Sequence, residues 1–377
     1  MDLTTLAAAI LVALGLLTTD AVLHSGSVSV EVAAPSDMYK KVIDQESLQA
    51  VFTAQLDQIG GTVSVVNPPE IRSTNDEGIG MVLADSANVK PLAFALQRQI
   101  GYNPDHLRFA LFTQDNALHA VVSGYGHARG AFSQEFAPEK DEKLLNFIER
   151  CAIWGGAQLA PYSTALFLVL RHAGDGDFRD AEALAGHALA TLPHGPVSEE
   201  RAKFENLLGL IEVFRHDPRA AQPHFQAAAA AWPDGPVPVL NTAFTEIQLA
   251  DYAAAAARTR TMLASLTNSQ KAIVAAGHLI LAAALIGLND LDGADTEAGQ
   301  AVEANPESPS APELWADLKA SRGDPAGADR LNRQAQQNAG SFENSGEMAA
   351  LYFHISWHDG DIVTRSRFAE PGTITFH

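Results

Sequence analysis

A chain of 377 residues, 47% hydrophobic and 19% charged, has material for a packed core and for two domains, and is too apolar to remain disordered. Its 45 acidic against 25 basic residues leave a net charge of −20, which argues against nucleic acid and anionic lipid, since both require clustered Lys and Arg. Cys151 is the only cysteine, so no intrachain disulfide or thiolate metal cage can form, and its apolar setting, FIERCAIWGGAQL, marks a buried structural thiol.

The first segment, residues 1–23, carries the uncharged run LTTLAAAILVALGLLTT from Leu3 to Thr19. Its length is at the short edge of a membrane span. No Lys or Arg precedes Lys40, and TTDAVLHSG is a poor cleavage site, so an uncleaved N-terminal membrane anchor is expected. A signal peptide or a buried helix are the alternatives. The large body that follows is expected on the exported, periplasmic side, with the cytoplasmic side left open because the flanks offer no basic residues to count.

Residues 27–157 mix strand and helix periodicity. SVSVEVAAP alternates with period two and stops at Pro35. ESLQAVFTAQLDQIGG sets Leu48, Phe52, Leu56 and Ile59 at helical spacing before Gly60 and Gly61. TVSVV reads as a strand and Lys90 to Ile100 as a helix. LRFALFTQDNALHAVVSGY reads as a hairpin turning at Gln114, Asp115 and Asn116. A strand near Ala131 to Phe136 then leads into a helix from Glu139 to about Gly155. This predicts an α+β module, with helices on one face of a partly antiparallel sheet. Its glycine-rich phrases, GIG at Gly78 to Gly80 and GYGHARG at Gly124 to Gly130, lack the spacing and context of nucleotide-binding loops and read as turns or bulges. His127 and Arg129 could meet an anion there, although nothing pairs them with a partner.

Residues 158–345 repeat one grammar in about five helix pairs. GDFRDAEALAGHALATLP, HDPRAAQPHFQAAAAAWP, ADYAAAAARTRTMLASLT, NDLDGADTEAGQAVEANP and GDPAGADRLNRQAQQNAG place alanines at 181, 221, 255, 294 and 328. Each phrase reads as the second helix of a helix-turn-helix unit, with a turn-forming start and, in three of them, a proline stop. Alanine at a fixed place lets two helices approach closely.

Period and pattern resemble the tetratricopeptide repeat (TPR) family over about Pro161 to Gly340. Leu208 and Gly209 match that family's Leu-Gly pair, and Phe225 and Ala228 match second-helix core positions. Leu281, Ala298 and Ala301 match in a later unit. No unit has the family's early tryptophan, and residues added between units imply longer loops. The layout as a whole is similar to bacterial membrane-anchored TPR proteins with an N-terminal α+β module. The matching phrases are the anchor, VSVEVAAP, FSQEF and LLNFIERCAIWGGAQLAPYSTALFLV. The resemblance implies an all-α TPR-like solenoid after the α+β module, with a concave first-helix surface that takes a protein or peptide partner. It also implies that Lys203, Asn206 and Asn241 project onto that open surface, where such residues can hold a peptide.

The C-terminal tail, residues 346–377, holds HISWHDGD. It reads as a helix end packed on Phe353 and Trp357. Metal ligation by His354 and His358 is the weaker alternative, because the H-E-x-x-H pattern is absent. No catalytic pair, cofactor motif or metal site is signalled. The expected function is therefore non-enzymatic: a membrane-tethered interaction or scaffold protein using a TPR-like groove. The alternative is an enzyme or small-ligand sensor whose site lies in the α+β module, with the repeats as an oligomerisation platform.

Overall fold

The computed structural model describes residues 27–34, 43–61, 72–74, 105–115, 117–126, 130–193, 195, 197–266, 271–338, 348–358 and 361–367. The chain divides into two compact units, the first ending at Thr164 and the second running from Ala165 onward.

The first unit is built on a mixed sheet. Its strands are β1 (Ser27–Ala33), β2 (Arg72–Thr74), β3 (Asp105–Gln114), β4 (Ala117–Gly126) and β5 (Gly130–Phe136), in the order β2-β1-β3-β4-β5. β1 pairs in parallel with β2 and β3, while β3, β4 and β5 form an antiparallel meander. The period-two pattern read from SVSVEVA buries Val28, Val30 and Val32, and on β3 it buries Leu107, Phe109 and Leu111. Onto this apolar face pack α1 (Gln45–Gly60) and α2 (Leu144–Leu159). Leu48, Phe52, Leu56 and Ile59 of α1 are all fully buried, and Phe52 stacks on Phe109 with ring centroids 4.4 Å apart. Asp44 caps α1 by accepting from the Ser47 N–H at 2.8 Å. The hairpin turns where the sequence places it, with Asp115 in the left-handed region at φ 52°. The last helix starts at Leu144 rather than Glu139. Asp141 has φ 64°, and the Glu142 carboxylate accepts the Glu139 N–H at 2.8 Å, so this stretch is a turn and not a helical first turn. The expected strand TVSVV and the helix from Lys90 to Ile100 lie outside the described residues.

The second unit is a stack of helices. After α3 (Pro161–Arg171), which spans the division, come α4 (Arg179–Thr191), α5 (Glu199–Phe214), α6 (Pro218–Ala231), α7 (Pro236–Gln248), α8 (Tyr252–Ser265), α9 (Lys271–Gly287), α10 (Leu291–Ala304), α11 (Ser310–Ser321) and α12 (Pro325–Gln337). From α5 on, they pack as pairs: α5 with α6, α7 with α8, α9 with α10, and α11 with α12. The first helices also touch in succession from α5 to α11, forming a layer of their own.

One turn recurs in all four pairs. His216, Ala250, Asn289 and Gly323 have φ of 59°, 60°, 62° and 80°. Behind each of them the N–H of Asp217, Asp251, Asp290 or Asp324 reaches back to the carbonyl of Glu212, Glu246, Leu285 or Lys319, at 2.8–2.9 Å. This left-handed stop satisfies the open carbonyls of the first helix. The same aspartates then cap the second helix, accepting from Ala220, Ala254, Gly293 and Gly327 at 2.9, 3.2, 3.0 and 2.9 Å. An alanine carries a left-handed residue's strain of about 1–2 kcal/mol, partly offset in glycine by its freer unfolded chain. Ala250 is exposed, so Ala250→Gly is expected to stabilise the unit by about 0.5–1 kcal/mol and raise its melting temperature by about 1–4 °C. A lower melting temperature would refute the strain argument.

The recurring small residues of α4 and of the four second helices are buried. Ala181, Ala221, Ala255 and Ala294 are at most 1% exposed, and Ala328 is 5% exposed. At Gly209 a Cβ would stand 2.6 Å from the Phe225 ring, which is why that ring closes on bare backbone. Ala221→Leu and Ala294→Leu are each expected to cost about 1–3 kcal/mol through overpacking, read as lower chemical-denaturation midpoints. Unchanged midpoints in both would show that these positions have spare room.

The tail, read from sequence as a helix end, is a hairpin. A 3₁₀ turn, Ala349–Leu351, precedes β6 (Phe353–His358) and β7 (Asp361–Ser366), which pair antiparallel. The alternating aromatic and β-branched residues of FHISWH and DIV suit strands better than a helix end. The anchor assignment is corrected as well. Among the described residues no helix is long and apolar enough to cross a membrane. Residues 1–23, on which the membrane and periplasmic assignments rested, lie outside the described residues.

Candidate functional site on the first-helix face

α7 lies at the centre of the helical unit and is buried nearly all round, from Val237 to Ile247. Several of its polar groups are satisfied within the helix. The Thr242 hydroxyl donates to the Pro238 carbonyl at 2.8 Å, and the Thr245 hydroxyl to the Thr242 carbonyl at 2.8 Å. Asn241 instead turns outward to neighbouring chain. Its side-chain N–H donates to Asn206 Oδ1 on α5 at 2.9 Å, and its own Oδ1 accepts the backbone N–H of Ala349 at 2.8 Å.

The three residues expected on an open concave surface are therefore covered. Lys203, Asn206 and Asn241 are 6%, 2% and 1% exposed. Asn206 and Asn241 come together, one turn beyond Lys203 along α5. The Lys203 ammonium pairs with Glu199 at 2.9 Å on its own helix. What covers Asn241 is the chain's own segment from Met348 to Arg367, packed through the 3₁₀ turn and the hairpin on α7, α9 and α11.

Three kinds of contact hold this segment. The first is aromatic: Phe353, fully buried, lies 5.7 Å from the Phe214 ring and 5.5 Å from the Phe244 ring, while Tyr352 lies 5.9 Å from Phe214. The second is directed at the main chain, where Asp317 on α11 accepts the Trp357 N–H at 3.1 Å, much as Asn241 holds Ala349. The third is ionic. Glu313 on α11 accepts from both terminal guanidinium nitrogens of Arg367 and lies 3.0 Å from His354 Nδ1, and Arg367 also reaches the Ser310 hydroxyl at 3.2 Å. Burial alone would raise the Glu313 carboxyl, but the hydrogen bonds from His354 and Arg367 outweigh it and hold the group below its ordinary range. Gln248 donates to the Thr364 hydroxyl at 3.1 Å and ties β7 to the end of α7.

The alternative site in the first unit assembles less. Gly124 lies flat between the His106 carbonyl and the Phe132 ring, where a Cβ would stand 2.2 and 2.6 Å from them, so this glycine serves strand packing. His127, Arg129 and Gly78 to Gly80 lie outside the described residues. Cys151 is fully buried on α2, and desolvation pushes its thiol up to about 12, far from a nucleophile's range. Among the described residues no three His, Cys, Asp or Glu side chains converge as a metal site. His354, once a candidate ligand, faces Glu313 instead.

One feature of the repeats was legible only in part, and one of this face not at all. The glycine, asparagine or other left-handed residue followed by aspartate, as in GD, ND, HD and AD, was a legible signal for the recurring turn. The docking of Met348–Arg367 had no local signal, because its partners lie more than a hundred residues away in α7. The sequence matches no protein-family model, and no relative is found among curated proteins.

Proposed function

We propose that the helical unit is a solenoid of the TPR type whose first-helix face binds a chain segment of a protein partner, the protein acting as a non-enzymatic interaction or scaffold protein. The period, the repeated left-handed turn and the recurring buried alanines support the repeat assignment. The observation that carries the binding function is the hydrogen bond from the Ala349 N–H to Asn241 Oδ1. A side chain from a first helix there grips peptide backbone, a group every partner segment presents. Asp317 on α11 repeats the arrangement with the Trp357 N–H.

The test is cross-linking mass spectrometry on complexes captured from the source cells with the full chain. Cross-links to partners on α5, α7, α9 and α11, or on Met348–Arg367, support the reading. Cross-links confined to α6, α8, α10 and α12 or to the first unit overturn it.

A further inference from the structure

The face under Met348–Arg367 is not built like the rest of the core. Within the pairs the helices meet through small and apolar residues, as where Ala202 packs on Ala228 and Ala231, Gly209 on Phe225, and Ala316 on Ala328 and Leu331. Beneath the segment, two aromatic rings are instead interspersed with Asn206, Asn241, Gln248, Glu313 and Asp317. Those side chains have hydrogen-bonding capacity that water or another chain can meet once the segment leaves. An apolar core has no such option, since exposing it forfeits the transfer free energy outright. The contacts are also ones by which a groove can take a peptide: main-chain N–H groups held at two points, one deeply seated aromatic, and a charged group at the far end.

We propose that Met348–Arg367 is a resident ligand of the first-helix face, occupying it until a partner segment of the same chemistry displaces it. That chemistry is specified by the seat. Ala349 and Ala350 are at most 1% exposed, so the stretch is built of small residues where Asn241 meets the backbone. Phe353 fills the slot between Phe214 and Phe244. Arg367 places a cation against Glu313. The partner is accordingly a protein segment with small residues, then an aromatic anchor, then a basic residue. The net charge of −20 on this chain favours the approach of a basic segment.

This inference rests on the first-helix face being the partner surface. Intramolecular occupancy sets a threshold for the competitor. A segment tethered through a short connection experiences an effective concentration on the order of mM. A partner at about 10 μM with equal intrinsic affinity would therefore win only about one encounter in a hundred. Displacement requires a tighter segment or a weakened resident.

The experiment uses a fluorescent peptide of residues 348–367 and measures anisotropy against the full chain. Wild type is expected to bind it weakly. Full-length Phe353→Ala, whose own segment lacks the anchor, is expected to bind it at least tenfold tighter, and a peptide carrying the same substitution is expected to bind neither. Equal affinity of the two folded proteins overturns the inference. If Phe353→Ala does not fold, hydrogen exchange on wild type decides: earlier exchange of the Ala349 and Trp357 amides than of α7 and α9 supports a displaceable ligand, and joint exchange overturns it. Partner cross-links on the first helices without binding of the peptide in trans leave the proposed function standing and remove the resident ligand alone.

Discussion

Asn241→Leu is expected to lower the stability of the helical unit by about 2–5 kcal/mol. Leucine keeps the approximate volume but removes a donor to Asn206 and an acceptor for the Ala349 N–H, both in a site 1% exposed for Asn241 and 2% for Asn206. Each buried polar group left without its partner costs about 1–3 kcal/mol. A solvent-exposed asparagine on an open groove would instead cost under ~0.5 kcal/mol. Chemical denaturation of the variant against wild type separates the two cases, and a loss below ~0.5 kcal/mol would sink the buried bridge. Detachment of the C-terminal segment would rehydrate the Ala349 N–H, so part of the loss is expected as faster hydrogen exchange at Met348–Arg367.

Glu313→Gln should act on the other end of the same segment. It leaves the Arg367 guanidinium, 8% exposed, against a neutral amide, and breaking a buried pair by neutralising one partner costs about 3–5 kcal/mol. The loss is capped at the free energy that holds the segment in place, because a released Arg367 regains water. Acid should reproduce the effect in wild type. The folded Glu313 carboxyl sits below its ordinary value of 4.5, so its contribution is fully present above pH ~4.5 and is lost as pH falls through the lower folded value. Intrinsic tryptophan fluorescence, to which Trp357 on β6 contributes as one of four tryptophans, should change in that range when wild type is titrated with acid. In Glu313→Gln the acid-dependent component should be absent. A titration curve identical in both proteins would assign the acid sensitivity to other carboxylates.

Local patterns were read well wherever neighbours in sequence are neighbours in space. The four apolar residues of α1, spaced by three or four, had to share a face, and all four lie in the core. The hairpin of β3 and β4 followed from two apolar runs around a polar turn. The alanines at 221, 255 and 294 were legible as buried positions because they recur at a fixed place in each phrase. Glu139 failed as a helix start, since a left-handed Asp141 two residues later leaves no apolar trace in the pattern. HISWHDGD was misread as a helix end for a different reason: four-residue spacing suits one face of a helix and one face of a strand alike.

Tertiary structure alone decided what the polar residues of the first helices do. Asn241 is bonded to Asn206, 35 residues before it, and to Ala349, 108 residues after it. Glu313 gathers His354 and Arg367 from 41 and 54 residues away. An asparagine or glutamate on a helix has the same local pattern whether water or a distant strand covers it, so periodicity could place these side chains on a face but not say what occupies it. By itself the sequence determined a small α+β module, a run of helix pairs and the small residues buried at a fixed place in the second helices, because all three arise from short-range spacing. The covering of the first-helix face by Met348–Arg367 arises from contacts between distant parts of the chain, and only the folded molecule brings them together.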